Sequence, residues 1–467
     1  MNKDLAIREL TEKFGTRLNV SAADRERHGQ DESSHAVMMP DAVLYAAGTG
    51  DVVAAIEICA RHRMPVIPFG AGTSLEGHVA APHGGLSLDL SMMNRVLAVH
   101  ENDLDVRVEA GVTRQALNAY LRDKGLFFPV DPGSECTLGG MVATRASGTN
   151  AVRYGTMREQ VLSLKVVTAT GEVIETGNRA RKSAAGYDLT HLFVGSEGTL
   201  GVVTEMTLRV YGRPEKLMAG VCRFPNLQAA IDTVIATIQL GLPVARIELL
   251  DELSVKAVNA YSGLDHTEMP TLFLEFHGSA PAVDAEVSSF SRLAKEFGGS
   301  AIEFADRQED INKLWHARHQ LYYATRAMAP GKHVLTTDVC VPISRLGDCM
   351  LETRHDLDES PVMGTMLGHV GDGNFHTILL ADPNNNGEMR ELERLHERMV
   401  TRAIEMGGTC TGEHGIGLGK IKYLEKEKGP AVHLMRQIKA ALDPIGIMNP
   451  GKLLPNPSLG EEMDNQR

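Results

Sequence analysis

The sequence predicts an α+β protein of two domains, and three observations carry that prediction. A length of 467 residues exceeds what one hydrophobic core ordinarily serves. Up to about residue 214 the chain sets apolar strands beside Gly-, Ser- and Thr-rich loops, without a 20–50-residue repeat or a low-complexity tract. After Arg213-Pro214 strands and helices alternate in split-βαβ order, which lays helices on one face of a sheet. The expected division is 1–214, itself built of two α+β subdomains, then 215–440, then a segment 441–467 that returns to the first domain.

Composition narrows the class. A chain 43 % hydrophobic and 23 % charged reads as ordinary soluble globular protein. A net charge of −13 offers neither the basic face that nucleic acid requires nor attraction to an anionic membrane. No apolar run approaches about 18 residues, and Met1-Asn2-Lys3-Asp4 opens a charged segment, so neither a membrane span nor a secretory signal is expected. The cysteines are scattered without a Cys-x-x-Cys pair, which points to reduced thiols in the cytoplasm and excludes a cluster held by grouped cysteines. If the protein moves electrons, it uses an organic cofactor.

Taken in order, residues 1 to about 35 are polar and helical. Thr49 or Asp51 caps a helix running to Arg63. Pro65-Val66-Ile67-Pro68 is a short strand leading into Phe69-Gly70-Ala71-Gly72-Thr73-Ser74, whose bare backbone N–H groups and hydroxyls suit a diphosphate. It is not a G-x-G-x-x-G fingerprint, because no helix in that register follows. Asp131 to Ser134, Leu138 to Gly140 and Ala146 to Gly155 form a second glycine-rich cluster, and Val194 to Val203 a third. Three such loops beside apolar strands suggest one extended ligand threaded between two halves of a domain.

In the second half, Leu217–Phe224, Ala245–Leu250, Thr271–Phe276 and Ile302–Phe304 read as strands, with helices to about Leu240 and Phe297. Helices over Asp310–Met328 and Asn386–Met406 frame a hairpin at Gly368-His369-Val370-Gly371-Asp372-Gly373-Asn374-Phe375-His376. Asp372-Gly373 favours a two-residue type I′ turn, which sets His369 directly opposite His376 with Cβ atoms about 5 Å apart. Further on, Gly412-Glu413-His414-Gly415 brings two adjacent polar side chains, and only an irregular, glycine-rich segment turns both to one site. Two imidazoles and a carboxylate leave coordination positions open, as catalytic metal sites do, and His414 is then free to act as a base. Any one of these histidines alone is an ordinary loop residue; the four groups together point to metal-assisted chemistry. Leu442-Asp443-Pro444 ends a helix, and Asn449-Pro450-Gly451-Lys452 leads the tail back toward the first domain.

These stretches, spread over nearly the whole chain, resemble the FAD-linked D-2-hydroxyacid dehydrogenases of the vanillyl-alcohol-oxidase superfamily, and most of all the cytochrome-type D-lactate dehydrogenases. The hairpin with Glu413-His414 is the specific part. The resemblance implies a bipartite FAD-binding domain of the p-cresol methylhydroxylase type and a ferredoxin-like α+β substrate domain. It implies that Pro68, Phe69, Gly70, Ala71, Gly72, Thr73, Ser74, Pro132 and Gly133 bind the diphosphate region. Gly139, Gly148, Tyr154, Gly155, Gly201, Val202 and Val203 line the rest of the FAD, with Asn449 from the tail. It also implies that His369, His376 and Glu413 hold a divalent metal (Zn, Mn or Fe), that His414 is the base, and that Arg318 grips the substrate carboxylate, a task suited to a guanidinium fork.

Relatives acting on D-2-hydroxyglutarate carry Lys, Thr and Asn where this chain has Thr336, Tyr322 and Ile378, so a monocarboxylic acid is expected. His78 lies beyond the loop position where the superfamily attaches flavin, so non-covalent FAD is expected. The expected partners are a small 2-hydroxy acid and an electron acceptor, whether cytochrome, quinone or electron-transfer flavoprotein; peripheral association with the inner membrane and a homodimer remain open. The rival readings are the flavin subunit of a glycolate-oxidising complex, a D-2-hydroxyglutarate dehydrogenase, an FAD-dependent transferase without net redox, a non-haem iron oxygenase and a flavin carrier.

Overall fold

The computed structural model describes residues 2–455. Met1 and residues 456–467, the end of the expected C-terminal segment, lie outside the described residues. The first sheet runs in the order Leu18–Asn19, Ala42–Tyr45, Leu86–Asp89, Val66–Phe69, the last three strands parallel. Helix Thr49–His62 crosses over between two of them, burying Val52, Ala55, Ile56 and Cys59 at helical spacing. Its end is set by Arg63 in the left-handed region at φ 53°. Its start differs from expectation: Gly48 precedes the helix, neither Thr49 nor Asp51 caps it, and the Asp51 carboxylate instead accepts the Ala47 N–H at 2.9 Å.

A second, wholly antiparallel sheet follows in the order Val96–His100, Asp105–Glu109, Gly201–Arg209, Val161–Thr168, Val173–Glu175. Both sheets feed one core, which also takes in Ile447 and Met448 of the tail. From the end of the described chain, Met448 bridges Val66 in parallel, and Asn449 Nδ2 donates to the Glu197 carbonyl at 2.7 Å.

The third sheet has eight antiparallel strands, in the order Glu303–Ala305, Lys216–Arg223, Thr271–Gly278, Arg246–Leu250, Met363–Gly368, Asn374–Ala381, His333–Thr336, with Val339–Cys340 also on Asn374–Ala381. Helices on one face only were expected; the structure has them on both. Leu227–Gln239, Ala280–Glu296, Leu346–Asp358 and Asn386–Glu405 share a core with Leu272, Leu274 and Phe276. Glu252–Ser262, Gln308–His319 and Leu321–Met328 pack with Phe273 and Leu250 on the other side. Burial on both faces is why Thr271–Gly278 reads as an almost continuous apolar run instead of alternating. The single helix expected over 310–328 is broken at Gln320. No helix among the described residues is long and apolar enough to cross a membrane.

The hairpin register needs correction. Leu367, not His369, faces His376. A type I′ turn requires positive φ at both central residues, and here only Gly373 has it, at 79°. A 3₁₀ turn over Val370–Asp372 widens the loop instead, with the Asp372 and Asn374 N–H groups both donating to the His369 carbonyl. Gly373 passes so close to Val341 that a Cβ would sit 2.1 Å from its carbonyl oxygen. His369 therefore leaves the strand before the turn and reaches the site from a loop.

Candidate active site

A cavity of about 460 Å³ opens between the glycine loops and the third sheet. On one side it is lined by Pro68, Gly70, Ala71, Gly72, Thr73, Ser74, Pro132, Gly133 and Asn449, and on the other by Arg318, Tyr322, Thr336, Ile378, His369, His376, Glu413 and His414. The remaining sequence candidates stand behind that lining. Phe69 packs its ring on His28 at 4.3 Å. Gly139 lies against Ala110 and Gly148 against Asp131, so closely that a Cβ at either would clash. Tyr154 bonds His277 Nδ1 at 2.9 Å, Gly155 abuts Glu159, and Gly201, Val202 and Val203 are strand residues paired with Val161–Thr168. Thr137, His319 and Tyr323 line the cavity without having been singled out, and Gly140, Ser147 and Glu197 line it from within the glycine-rich runs. Thr137 carried a local signal, since it caps the helix Leu138–Thr144 by accepting the Gly140 N–H at 3.3 Å.

The lining fits a dinucleotide. Gly72 (φ 70°) turns the loop where any Cβ would meet the Phe69 ring at 3.0 Å, and a Cβ on Gly70 would fall 2.4 Å from Thr137 Oγ1. The loop backbone, with Thr73 and Ser74, thus lines the cavity at close range, as a diphosphate requires. Among the lining residues, buried His78 has no hydrogen-bond partner on Nδ1, an atom that a polar ligand can satisfy.

At the other end, His369, His376 and Glu413 each offer one ligand atom within 4.8 Å of the others. His369 Nδ1 bonds Glu248 Oε1 at 2.7 Å, and His376 Nδ1 bonds the Thr337 carbonyl at 3.0 Å. Both Nε2 atoms then converge on Glu413 Oε1, at 3.2 and 3.4 Å. Outer partners on Nδ1 with Nε2 turned inward are the arrangement that orients imidazoles on a metal. Burial by itself would depress the His369 imidazole, but Glu248 and Glu413 outweigh it and raise it well above its ordinary range. Burial likewise opposes ionisation of Glu413, and the two histidines hold its carboxyl well below the usual value. This donor set fits a divalent ion, which would satisfy the same charges.

Asp338 explains how adjacent residues serve one site. Its Oδ2 accepts the Glu413 and His414 N–H groups, both at 3.0 Å, and the Thr411 hydroxyl at 2.8 Å, while Oδ1 accepts Asn374 Nδ2 at 2.7 Å. One buried carboxylate thus folds the 411–414 loop onto the hairpin. His414 stacks on His376 with centroids 5.3 Å apart, and its Nδ1 lies 3.8 Å from Glu76 Oε1. Lys420, fully buried, stands 3.2 Å from Glu76 and 3.6 Å from Asp338. Burial would raise the Asp338 carboxyl, but Lys420, His414 and His376 hold it well below the usual carboxylate range. Its stabilising share is therefore complete above about pH 4 and is lost as pH falls through the lower folded value. Asp338→Ala leaves the Glu413 and His414 amides without their acceptor and takes one of two carboxylates from buried Lys420, and a loss of about 3–5 kcal/mol is expected in urea unfolding at neutral pH.

Arg318 reaches the cavity but is not a free fork. Its Nε and Nη2 both donate to Glu248 Oε2, at 3.2 and 2.7 Å, so the bidentate edge expected to grip a carboxylate is already engaged. Nη1 remains for a ligand. Glu248, missed in the sequence because it sits inside an apolar strand, joins the arginine to His369. His319 is pushed down to about 4 by burial and by the Arg318 charge, so it is a neutral lining group at pH 7.

Comparison with known proteins agrees with this architecture. The C-terminal domain of FAD linked oxidases matches residues 213–453, and an FAD binding domain matches residues 40–177. A probable mitochondrial D-lactate dehydrogenase of Danio rerio is 51 % identical over 441 residues, covering 94 % of this chain and 89 % of the relative. A mitochondrial D-lactate dehydrogenase (cytochrome) of Arabidopsis thaliana is 47 % identical over 441 residues, covering 94 % and 78 %. The solved structure of p-cresol methylhydroxylase with substrate bound superposes with a TM-score of 0.80 at 16 % identity over 96 % of both chains, a likeness of fold. With family matches over both halves and relatives this similar over most of its length, the chain belongs to the FAD-linked oxidases and is an FAD-dependent oxidoreductase.

Proposed function

We propose that this chain oxidises D-2-hydroxy monocarboxylic acids, D-lactate among them, to 2-oxo acids. The observation that carries the reading is that one cavity is lined both by the glycine loops and by His369, His376, Glu413 and His414. His369, His376 and Glu413 would hold a divalent ion, which when bound supplies Lewis acidity toward the substrate's 2-hydroxyl. FAD when bound supplies the hydride acceptor. His414 takes the hydroxyl proton, so proton and hydride leave the substrate in different directions and base and flavin must flank one carbon. Arg318 offers Nη1 to the carboxylate, and Tyr322, Thr336 and Ile378 form the wall for the side chain. The division of labour follows the proposed domains, with cofactor contacts mainly before residue 214 and metal ligands after it. Re-oxidation falls to a cytochrome, quinone or flavoprotein in the cytoplasm or at the inner membrane surface. The names of the D-lactate dehydrogenase relatives support this reading.

Two measurements test it. The purified protein is expected to be yellow and to release its flavin on acid precipitation, because the loops supply only non-covalent contacts; flavin retained in the pellet contradicts this. Chelation is expected to abolish substrate-driven flavin reduction while the flavin stays bound, with His369→Ala behaving like the chelated enzyme. Loss of flavin on chelation would mean that the two sites are not separate.

A further inference from the structure

The cofactor cradle is fastened from outside its own half of the chain. Arg246, at the start of the strand Arg246–Leu250, has a side chain 16 % exposed and does not line the cavity. Its Nε donates to Asn150 Oδ1 at 3.0 Å, Nη2 lies 3.1 Å from Asp131 Oδ2, and Nη1 lies 3.5 Å from Glu275 Oε2. Asp131 in turn accepts the Thr149 hydroxyl at 2.6 Å and the Asn150 N–H at 3.0 Å. The loops at 131–134 and 147–150 are two walls of the cavity, so one guanidinium from the third sheet clasps both. Beneath it, Trp315 holds the clasp in place: its indole N–H donates to Glu275, and the Arg246 guanidinium sits 4.6 Å above its ring. Two residues further along the same strand, Glu248 holds His369 and Arg318.

We propose that Arg246 is a positioning residue for FAD: it preorganises the 131–134 and 147–150 walls, so tight flavin binding depends on a residue of the substrate half that touches no flavin. The physical ground is that an ordered cradle binds with less entropic loss than loops that must be gathered at each encounter, and that a planar arginine with three polar partners cannot be replaced by a lysine point charge. Neither the glycine pattern nor the FAD-binding match to residues 40–177 includes this residue.

Trp315 is the single tryptophan in the chain and stacks against the clasp, with His319 of the cavity wall 6.5 Å away, so its emission reports flavin arrival directly. The test is FAD titration of the stripped full-length protein, followed by Trp315 fluorescence, for wild type, Arg246→Lys, Asp131→Asn and the double variant. Each single change is expected to raise the FAD dissociation constant by on the order of 10- to 100-fold, and the double is expected to be no worse than the weaker single. Circular dichroism and the urea midpoint of the flavin-free protein separate this from general damage. Unchanged FAD affinity with a lowered midpoint would make the clasp a plain structural tie and overturn the proposal, as would additive effects in the double variant. Should Arg246→Lys fail to fold, Asn150→Ala, which removes the Oδ1 acceptor of Arg246 and the Nδ2 donor to the Pro129 carbonyl but no charge, carries the same expectation: weaker flavin binding supports the clasp and unaltered binding refutes it.

Discussion

His414→Ala is expected to lower the rate of substrate-driven flavin reduction by about 10² to 10⁴, the usual worth of a positioned base, while flavin and metal contents stay at wild-type levels. The retention follows from geometry. The loop is folded by backbone N–H groups of Glu413 and His414 on Asp338, bonds that an alanine at 414 leaves intact. Glu413 therefore keeps its place between His369 and His376. The check is single-turnover absorbance of the flavin alongside metal analysis of the same sample. A variant of normal rate removes His414 from the chemistry; one that loses its metal makes the residue structural.

A comparable effect is expected at the far end of the substrate. Thr336 and Ile378 are paired across neighbouring strands, Ile378 is buried, and Tyr322 and Leu367 complete an apolar cluster with it. Arg318 is committed along one edge to Glu248 and serves the reacting carboxylate with what remains. A second carboxylate would enter this wall unpaired, at a cost of several kcal/mol, whereas each methylene gains about 0.8 kcal/mol. kcat/KM is thus expected to favour D-lactate over D-2-hydroxyglutarate by about 10² or more. The pair Thr336→Lys and Ile378→Asn is expected to narrow that gap at least about tenfold by supplying a cation and a donor. An unmodified protein that already prefers the diacid shows the wall to be wrongly assigned.

How much of this was legible beforehand depended on whether the signal was local. The strand entering Gly70–Ser74, the returning Asn449 and the His369, His376, Glu413 and His414 set are short-range patterns of glycine and polar residues, and the structure brings them to one cavity. The hairpin register was misread because Asp372-Gly373 was given the turn it prefers, when the close pass of Gly373 by Val341 and the 3₁₀ turn decide the loop. Helices on both faces of the third sheet were missed because the apolar run Thr271–Phe276 looks the same for a half-buried and a fully buried strand. Glu248, Asp338 and Arg246 carried no motif at all. Each is a charged residue in or near an apolar stretch, and its meaning comes only from partners 29 or more positions away that the fold delivers, which is why their roles could not be read from spacing.

The central claim is that one cavity sets base, ligand triad and flavin around the reacting carbon of a D-2-hydroxy monoacid. Anaerobic mixing of the holoprotein with D- and L-lactate, D-2-hydroxybutyrate, glycolate and D-2-hydroxyglutarate, with bleaching of the flavin followed in time, tests it most directly. The account predicts fast bleaching by D-lactate and D-2-hydroxybutyrate, with the L-acid and the diacid slower by about 10² or more. Equal bleaching by L-lactate, preference for D-2-hydroxyglutarate, or a flavin that no 2-hydroxy acid reduces would contradict it.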